Sequence, residues 1–242
     1  VAIKKITLQG LIRKEITFNE LMFMKINKNQ NVVNYLESYL VDKQLWLVME
    51  YMDGGTLTDI INETHMSERE MAAVSRECLQ GLDFLHSNHM IHLDVKSRNI
   101  LLRTDGSVKL GHCGGIRVWV FCWFRKVIHL CVSAGTEIAA AEWSLNNELW
   151  ESSYRCERRA GASCFLFLQP QLLITTRGIP KLQQPNLFSP WLHHFLCCCL
   201  QTDAARRWSA KELLQHPFVT FAEPVSSLVP LIVSVKKRKE TR

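Results

Sequence analysis

The sequence predicts an α+β domain, in which strands come first and helices fill most of the remainder. Residues 32–40 and 45–52 have the composition of two strands, and the polar sequence D-K-Q at 42–44 supplies the turn between them. A long helix is predicted over about 67–86, because its first residues, S-E-R-E, form a capping-box pattern. Strands followed by helices, without regular alternation of the two, are typical of an α+β fold.

Further elements complete this prediction. Residues 1–7 alternate like a strand, and apolar residues between positions 14 and 25 have roughly helical spacing. A short helix is expected over 56–61, after the breaker D-G-G and with Thr56 as its N-cap. A hairpin is predicted from residues 100–102 and 108–110, which flank the turn sequence T-D-G.

The composition narrows the class of protein. The chain has 242 residues, of which 47% are hydrophobic and 21% charged, values that are ordinary for a globular domain. The net charge of +6 comes without a dense basic stripe, so we expect no nucleic-acid partner. The apolar runs at 118–132 and 162–174 contain charges or a proline, so we expect no membrane span.

The cysteines point to a reducing compartment. Nine cysteines at irregular spacings do not suggest a disulfide framework, and the first residues lack the pattern of a signal peptide. We therefore expect free thiols and a cytoplasmic location. Because the sequence begins with Val1, we also expect an upstream part to be missing.

The polar stretch I-H-L-D-V-K-S-R-N at 91–99 places an acid, a base and an amide in one short loop. An apolar helix precedes it and an apolar strand-like run follows it. Polar side chains held between two buried elements are typical of a catalytic loop. The pattern H-x-D-x-K-x-x-N is short, so its interpretation depends on the motifs around it.

Four motifs in the first 110 residues resemble those of protein kinases, and more narrowly those of the PAK family of sterile-20-like serine/threonine kinases. They are V-A-I-K at 1–4, Glu20, M-E-Y-M-D-G-G at 49–55, and A-V-S-R-E-C-L-Q with F-L-H-S-N within 73–88. The resemblance weakens after Gly111. It returns near 172–185 and is strong over 206–218, R-R-W-S-A-K-E-L-L-Q-H-P-F.

The resemblance implies a protein-kinase-like fold of two lobes. Residues 1–52 would form an incomplete small lobe, whose sheet leaves an edge and an apolar face exposed, so we expect the isolated chain to fold poorly or to aggregate. Residues 53–232 would form a mainly helical large lobe, in which 115–170 diverge from the family. Residues 233–242 would form a basic tail.

The resemblance also assigns roles in phosphoryl transfer, which depends on positioning and on neutralising charge. Asp94 would accept the proton of a substrate hydroxyl, and Lys96 would neutralise the γ-phosphate of ATP. Asn99 would hold Mg²⁺, since an amide oxygen is a hard ligand. The implied cofactors are therefore ATP and Mg²⁺, and the implied partners are protein substrates in intracellular signalling.

The nucleotide itself would be held by residues of the small lobe and of the hinge between the lobes. Lys4 would contact the α- and β-phosphates, and Glu20 would hold Lys4 in place. Glu50 and Met52 fall in the hinge motif.

Several departures from the family pattern predict that catalysis is impaired. His112-Cys113-Gly114 stands where the family has D-F-G, and imidazole is a poor ligand for Mg²⁺. Leu93 replaces the arginine of H-R-D, and Arg98 puts a cation beside Asn99. No Gly-rich loop precedes Lys4 in this sequence, so we expect ATP binding to be weakened. A pseudokinase that acts as a binding module and a gene remnant without function remain alternatives.

The divergent centre supports two competing alignments. The tryptophan motif W-S-L at 143–145 resembles one in a large-lobe helix, whereas Gly135-Thr136 with Ala141-Glu142 resembles the G-T-P and A-P-E motifs. Neither fits without insertions. A shifted reading frame or altered splicing would produce such a segment.

Two other patterns have a chemical and a structural interpretation. His193 and Cys197 lie one helical turn apart, as zinc ligands do, but the sequence offers no second pair of ligands. A buried helix in which cysteine acts as a small apolar residue is the favoured interpretation. The basic run at 236–239 suggests a nuclear-import motif, an acidic partner surface or, as favoured, a solvated and frayed terminus.

Overall fold

The fold begins with a small antiparallel sheet. In the computed structural model, the described residues are 1–7, 22, 24–90, 92, 95–111, 188–201 and 206–241. The sheet has the strand order β1-β3-β2, with β1 at Ala2–Thr7, β2 at Tyr35–Val41 and β3 at Gln44–Met49. Most of the helix predicted over 14–25 lies outside the described residues.

The β2–β3 hairpin is confirmed, with a tight turn at Asp42 and Lys43. Their φ angles are 47° and 61°, as a two-residue turn between twisted strands requires. Strand β2 begins at Tyr35, three residues later than predicted. The residues before it instead bond to a second hairpin: Val33 N donates to Leu110 O at 2.9 Å, and Leu110 N donates to Asn31 O at 2.8 Å.

The second sheet and two capped helices follow. Strands β4 (Gly55–Thr56), β5 (Ile100–Leu102) and β6 (Val108–Leu110) form this sheet in sequence order, and the predicted β5–β6 hairpin is confirmed. Helix α1 spans Leu57–Glu63 and α2 spans Glu68–Ser87. Both begin with complete capping boxes, at Thr56 and at Ser67. The N-cap at Thr56 and the capping box at Ser67 were predicted, and the box at Thr56 is an addition from the structure.

The remaining described helices lie near the C-terminus. They are α3 (Pro190–Cys199), α4 (Ala210–Leu213), α5 (Pro217–Thr220) and α6 (Val229–Glu240). None of the helices in the described part of the chain has the length and apolar character that a membrane crossing requires.

The main core forms where α2 packs on the β5–β6 hairpin. Leu79, Leu82, Ile100 and Leu110 are at most 1% exposed. Gly81 allows this contact, because a Cβ there would meet Asn31 O at 2.8 Å and Leu110 Cδ1 at 2.9 Å. Helix α2 therefore lies directly on the backbone link between the hairpin and the first sheet.

The first sheet leaves apolar side chains in solvent on both faces, because Ile3 pairs with Val48 and Leu40 with Leu45, and these two β3 positions point to opposite sides. Ile3 is 52% exposed and Leu40 is 70% exposed. The expectation of a single exposed apolar face stays a prediction. Poor folding of the chain stays a prediction.

The prediction of a frayed basic tail over 236–239 is wrong. Helix α6 continues to Glu240, and Ile232 and Val235 on it are buried. Acidic residues at the end of the hinge and on α1 hold the basic residues. Three ion pairs join them: Lys236–Asp53 at 3.0 Å, Lys239–Asp59 at 2.6 Å and Arg238–Glu63 at 3.8 Å.

Asp53 links the hinge to both α6 and the β5–β6 turn. Its carboxylate accepts hydrogen bonds from Thr104 N at 3.0 Å, from Thr104 Oγ1 at 2.8 Å and from Lys236 Nζ at 3.0 Å. These contacts, with the backbone hydrogen bond from Thr104 first, lower the pKa of Asp53 from its ordinary 3.8 to about 2.

We expect Asp53→Asn to lower the free energy of unfolding at pH 7 by about 1 kcal/mol, after allowance for solvent screening of a partly exposed pair. Because the folded state depresses this pKa, the stabilisation is present above pH 3.8 and is lost as pH falls through about 2. Urea unfolding measures the free energy of unfolding of wild type and Asp53→Asn at pH 7 and at pH 3. The difference between the two proteins should be smaller by roughly half at pH 3. Asp42→Asn, at an exposed turn position, is the matched control. If Asp53→Asn lowered the free energy of unfolding equally at both pH values, the ionised carboxylate of Asp53 would not be the source of the stabilisation.

Candidate active site

The predicted catalytic loop is tied to Gly111, the residue directly after β6. His92 is fully buried, and its Nε2 lies 2.9 Å from Gly111 O. Gly111 N donates to Asn99 O at 2.6 Å. A Cβ at Gly111 would meet the Leu101 side chain at 2.9 Å, so a larger residue would disturb this close approach. Sequence reasoning assigned no role to Gly111, although its place at the end of an apolar strand was a usable signal.

Lys96 and Asn99 are held in one tight turn. Lys96 precedes a single 3₁₀ turn at Ser97–Asn99, and Asn99 N donates to Lys96 O at 2.8 Å. Ser97 is buried, and its Oγ lies 2.6 Å from Thr58 Oγ1 on α1. The turn is therefore fixed to the large lobe. The predicted site residues Asp94, Glu20 and His112 lie outside the described residues.

Lys4 lies on the inward face of β1. Ala2, Lys4 and Ile6 alternate as half-buried residues, and Lys4 is opposite Leu47 in the register. Lys5 points the other way, with Nζ 4.0 Å from the centre of the Trp46 ring. The predicted contact between Lys4 and Glu20 lies outside the described residues.

A cavity of about 520 Å³ opens at the hinge. Apolar side chains of β1, β3 and β5 line it, together with the backbone that connects the two sheets and the end of α6. Its lining residues include Ala2, Val33, Met49, Glu50, Met52 and Leu101. Of the predicted site residues, Glu50 and Met52 line this cavity, whereas Lys4, Lys96 and Asn99 are not among its lining residues. Lys4 is two residues beyond Ala2 on the same strand face, and Asn99 is two residues before Leu101 in the sequence.

The Glu50 carboxylate is surrounded by donors from three parts of the chain. Asn34 donates through its backbone N at 2.7 Å and through Nδ2 at 3.0 Å. Lys109 Nζ donates at 2.7 Å and Arg103 Nη2 at 3.0 Å. Burial alone raises the pKa of Glu50, but the hydrogen bonds from Lys109 and Asn34 and the nearby positive charges outweigh it and lower the pKa.

Two consequences follow from this network. The side chain of Glu50 is engaged by the protein, so its contact with a ligand in the cavity is left to its backbone. Lys109 and Arg103, which sequence reasoning missed, support the hinge. Lys109 lies between two apolar residues in V-K-L, and a cation in a buried strand requires a partner.

The implied cofactors do not fit this chain equally well: the adenine base of ATP fits, and Mg²⁺ does not. The apolar walls made by Ala2, Val33, Met49 and Leu101, with exposed backbone at the hinge, suit a flat aromatic base. The donors predicted for the metal do not suit Mg²⁺, because Asn99 would provide an amide and His112 an imidazole where hard carboxylate oxygens are needed.

We expect Glu50→Gln to lower the free energy of unfolding by about 3 kcal/mol, because Lys109 would stay buried without an anionic partner. The double variant Glu50→Gln/Lys109→Met should recover part of this loss. Urea unfolding of both variants measures the coupling. Glu37→Gln, at an exposed position on β2, should change stability by less than about 0.5 kcal/mol. Additive losses in the double variant would contradict a direct pairing.

Comparisons with known proteins agree with this arrangement. Residues 1–119 match the protein kinase domain family. Mouse serine/threonine-protein kinase PAK 1 is 44% identical over 252 aligned residues, which cover 98% of this chain and 45% of that protein. Caenorhabditis elegans serine/threonine-protein kinase pak-1 is 39% identical, with 98% of this chain and 43% of that protein covered.

A fungal relative shows the same similarity. Serine/threonine-protein kinase STE20 of Debaryomyces hansenii is 38% identical, with all of this chain and 23% of that protein covered. The chain thus spans less than half the length of these curated relatives. The predicted protein-kinase-like α+β fold and the predicted family are both confirmed. The chain belongs to the PAK- and STE20-like serine/threonine kinases of the protein kinase family.

Proposed function

We propose that this chain is a PAK-like serine/threonine kinase domain that binds an adenine nucleotide at the hinge but transfers its phosphate poorly. The observation that carries the proposal is the contrast between two parts of one site. The apolar hinge cavity is present, while His112 follows Gly111 where the family has its metal-binding aspartate. Binding of the adenine base and positioning of the metal depend on different residues. The chain can therefore keep base binding and lose metal positioning.

The remaining catalytic groups support descent from an active kinase. Asp94 would accept the proton of a substrate serine or threonine hydroxyl, and Lys96 would neutralise charge on the γ-phosphate. Lys4 would contact the α- and β-phosphates of ATP. Arg98 adds a cation next to Asn99, and this cation disfavours a metal ion there.

A pseudokinase is the second candidate, favoured by the same contrast. A nucleotide held at the hinge without a properly placed metal would stabilise the fold, and the large lobe would bind protein partners in the cytoplasm. Nucleotide binding without transfer is the feature that separates this function from a kinase. A gene remnant without function is distinguished from both by the absence of any nucleotide binding.

We expect His112→Asp to raise phosphate transfer to casein by at least about 10-fold, since changes around a metal site typically alter activity by 10- to 100-fold. The reason is that a carboxylate restores a hard Mg²⁺ ligand. Transfer of ³²P from ATP measures it. The control is Asp94→Asn in the His112→Asp background, which should remove the gain. Unchanged transfer in His112→Asp would place the defect elsewhere.

We expect adenosine and ATP to raise the melting temperature to a similar extent, with no added effect of Mg²⁺, because the base makes the contacts at the hinge. Differential scanning fluorimetry with and without Mg²⁺ measures this. Ala2→Phe should abolish the rise by filling the cavity, and Ile3→Phe on the exposed face of the same strand should retain it. A rise that requires Mg²⁺ would contradict the loss of the metal site.

A further inference from the structure

Three potential metal ligands meet in the large lobe, on elements that do not line the hinge cavity. His194 and Cys198 lie one turn apart on α3, and His216 is the N-cap of α5. His194 Nδ1 is 2.7 Å from His216 Nε2, and Cys198 Sγ is 3.7 Å from His194 Nδ1. One donor atom from each residue lies within 4.8 Å of the others.

These residues differ by one position from the pair that the sequence suggested. Cys197 is exposed, whereas Cys198 and His216 are buried. The helix therefore turns His194 and Cys198, and not His193 and Cys197, toward α5. The third ligand is His216, which lies at the start of α5. Residue spacing along α3 alone does not reveal it.

We propose that His194, Cys198 and His216 form a site for a divalent metal ion of the zinc class. The sulfur-to-nitrogen distance is close to the roughly 3.5 Å expected between ligands of tetrahedral zinc, given Zn–S near 2.3 Å and Zn–N near 2.0 Å. The two imidazoles need to separate by roughly half an ångström to reach the corresponding distance. His194 is exposed, so a water molecule can reach the fourth position. A thiolate with two imidazoles selects against Mg²⁺ and Ca²⁺.

Metal binding would also change where the protons of these three residues lie. Phe218 N donates to His216 Nδ1 at 3.1 Å, so the neutral ring carries its proton on Nε2 and donates it to His194 Nδ1. When the metal takes Nε2, that proton moves to Nδ1 and the hydrogen bond from Phe218 is lost. The thiol of Cys198 releases its proton to solvent. Three coordinate bonds replace the hydrogen bonds of His216 with His194 and Phe218 and the weaker one between Cys198 and His194. Helix α3 thereby becomes fixed to the start of α5.

Titration of the full chain with Co²⁺, after treatment with EDTA and a phosphine reductant, tests the site. We expect one equivalent of Co²⁺ to give visible d–d bands and a near-ultraviolet thiolate-to-cobalt band, both removed by Zn²⁺. Cys198→Ser should abolish the thiolate band. His194→Ala, at an exposed position, should weaken Co²⁺ binding by at least about 10-fold, as removal of a ligand or its support does.

The same helix provides matched controls. His193→Ala and Cys197→Ser should leave both the spectrum and the affinity unchanged. Should Cys198→Ser fail to fold, the His194→Ala and Cys197→Ser comparison decides alone. A wild-type chain without a thiolate band, or a band that depends on Cys197, overturns the proposal.

Discussion

The ionised carboxylate of Glu50 is the charge on which the arrangement of the site depends. A buried carboxylate is stable only when several donors replace its water shell. Here the donors come from Asn34 just before β2, Arg103 just after β5 and Lys109 on β6. The hinge is therefore held to segments next to both sheets at once.

Features set by neighbours in the sequence could be predicted, and features set by distant contacts could not. The caps at Ser67 and Thr56 depend on residues three positions away, so their sequences were sufficient. The docking of α6 was missed, because a basic run is usually solvated and its acidic partners are remote. Arg238, for example, bonds to Glu63 across 175 positions.

The candidate site shows the same division. Lys4, Lys96 and Asn99 were predicted as site residues from short motifs, and the structure adds that Lys4 lies on β1 and that Lys96 and Asn99 flank and end a 3₁₀ turn. The partners of Glu50 were not predicted, because they lie in distant parts of the sequence. The cluster around His216 was missed for a similar reason, since one helix supplies two ligands and a separate element supplies the third.

The ion pair between Asp53 and Lys236 has a consequence for the order in which the chain assembles. The two residues are 183 positions apart, so at ordinary rates of translation about 10 to 40 s separate the synthesis of one from the other. During that interval the hinge emerges from the ribosome without one of its cationic contacts and without the wall that α6 provides. A nascent chain would thus present an open, incomplete cavity to chaperones before α6 closes over it.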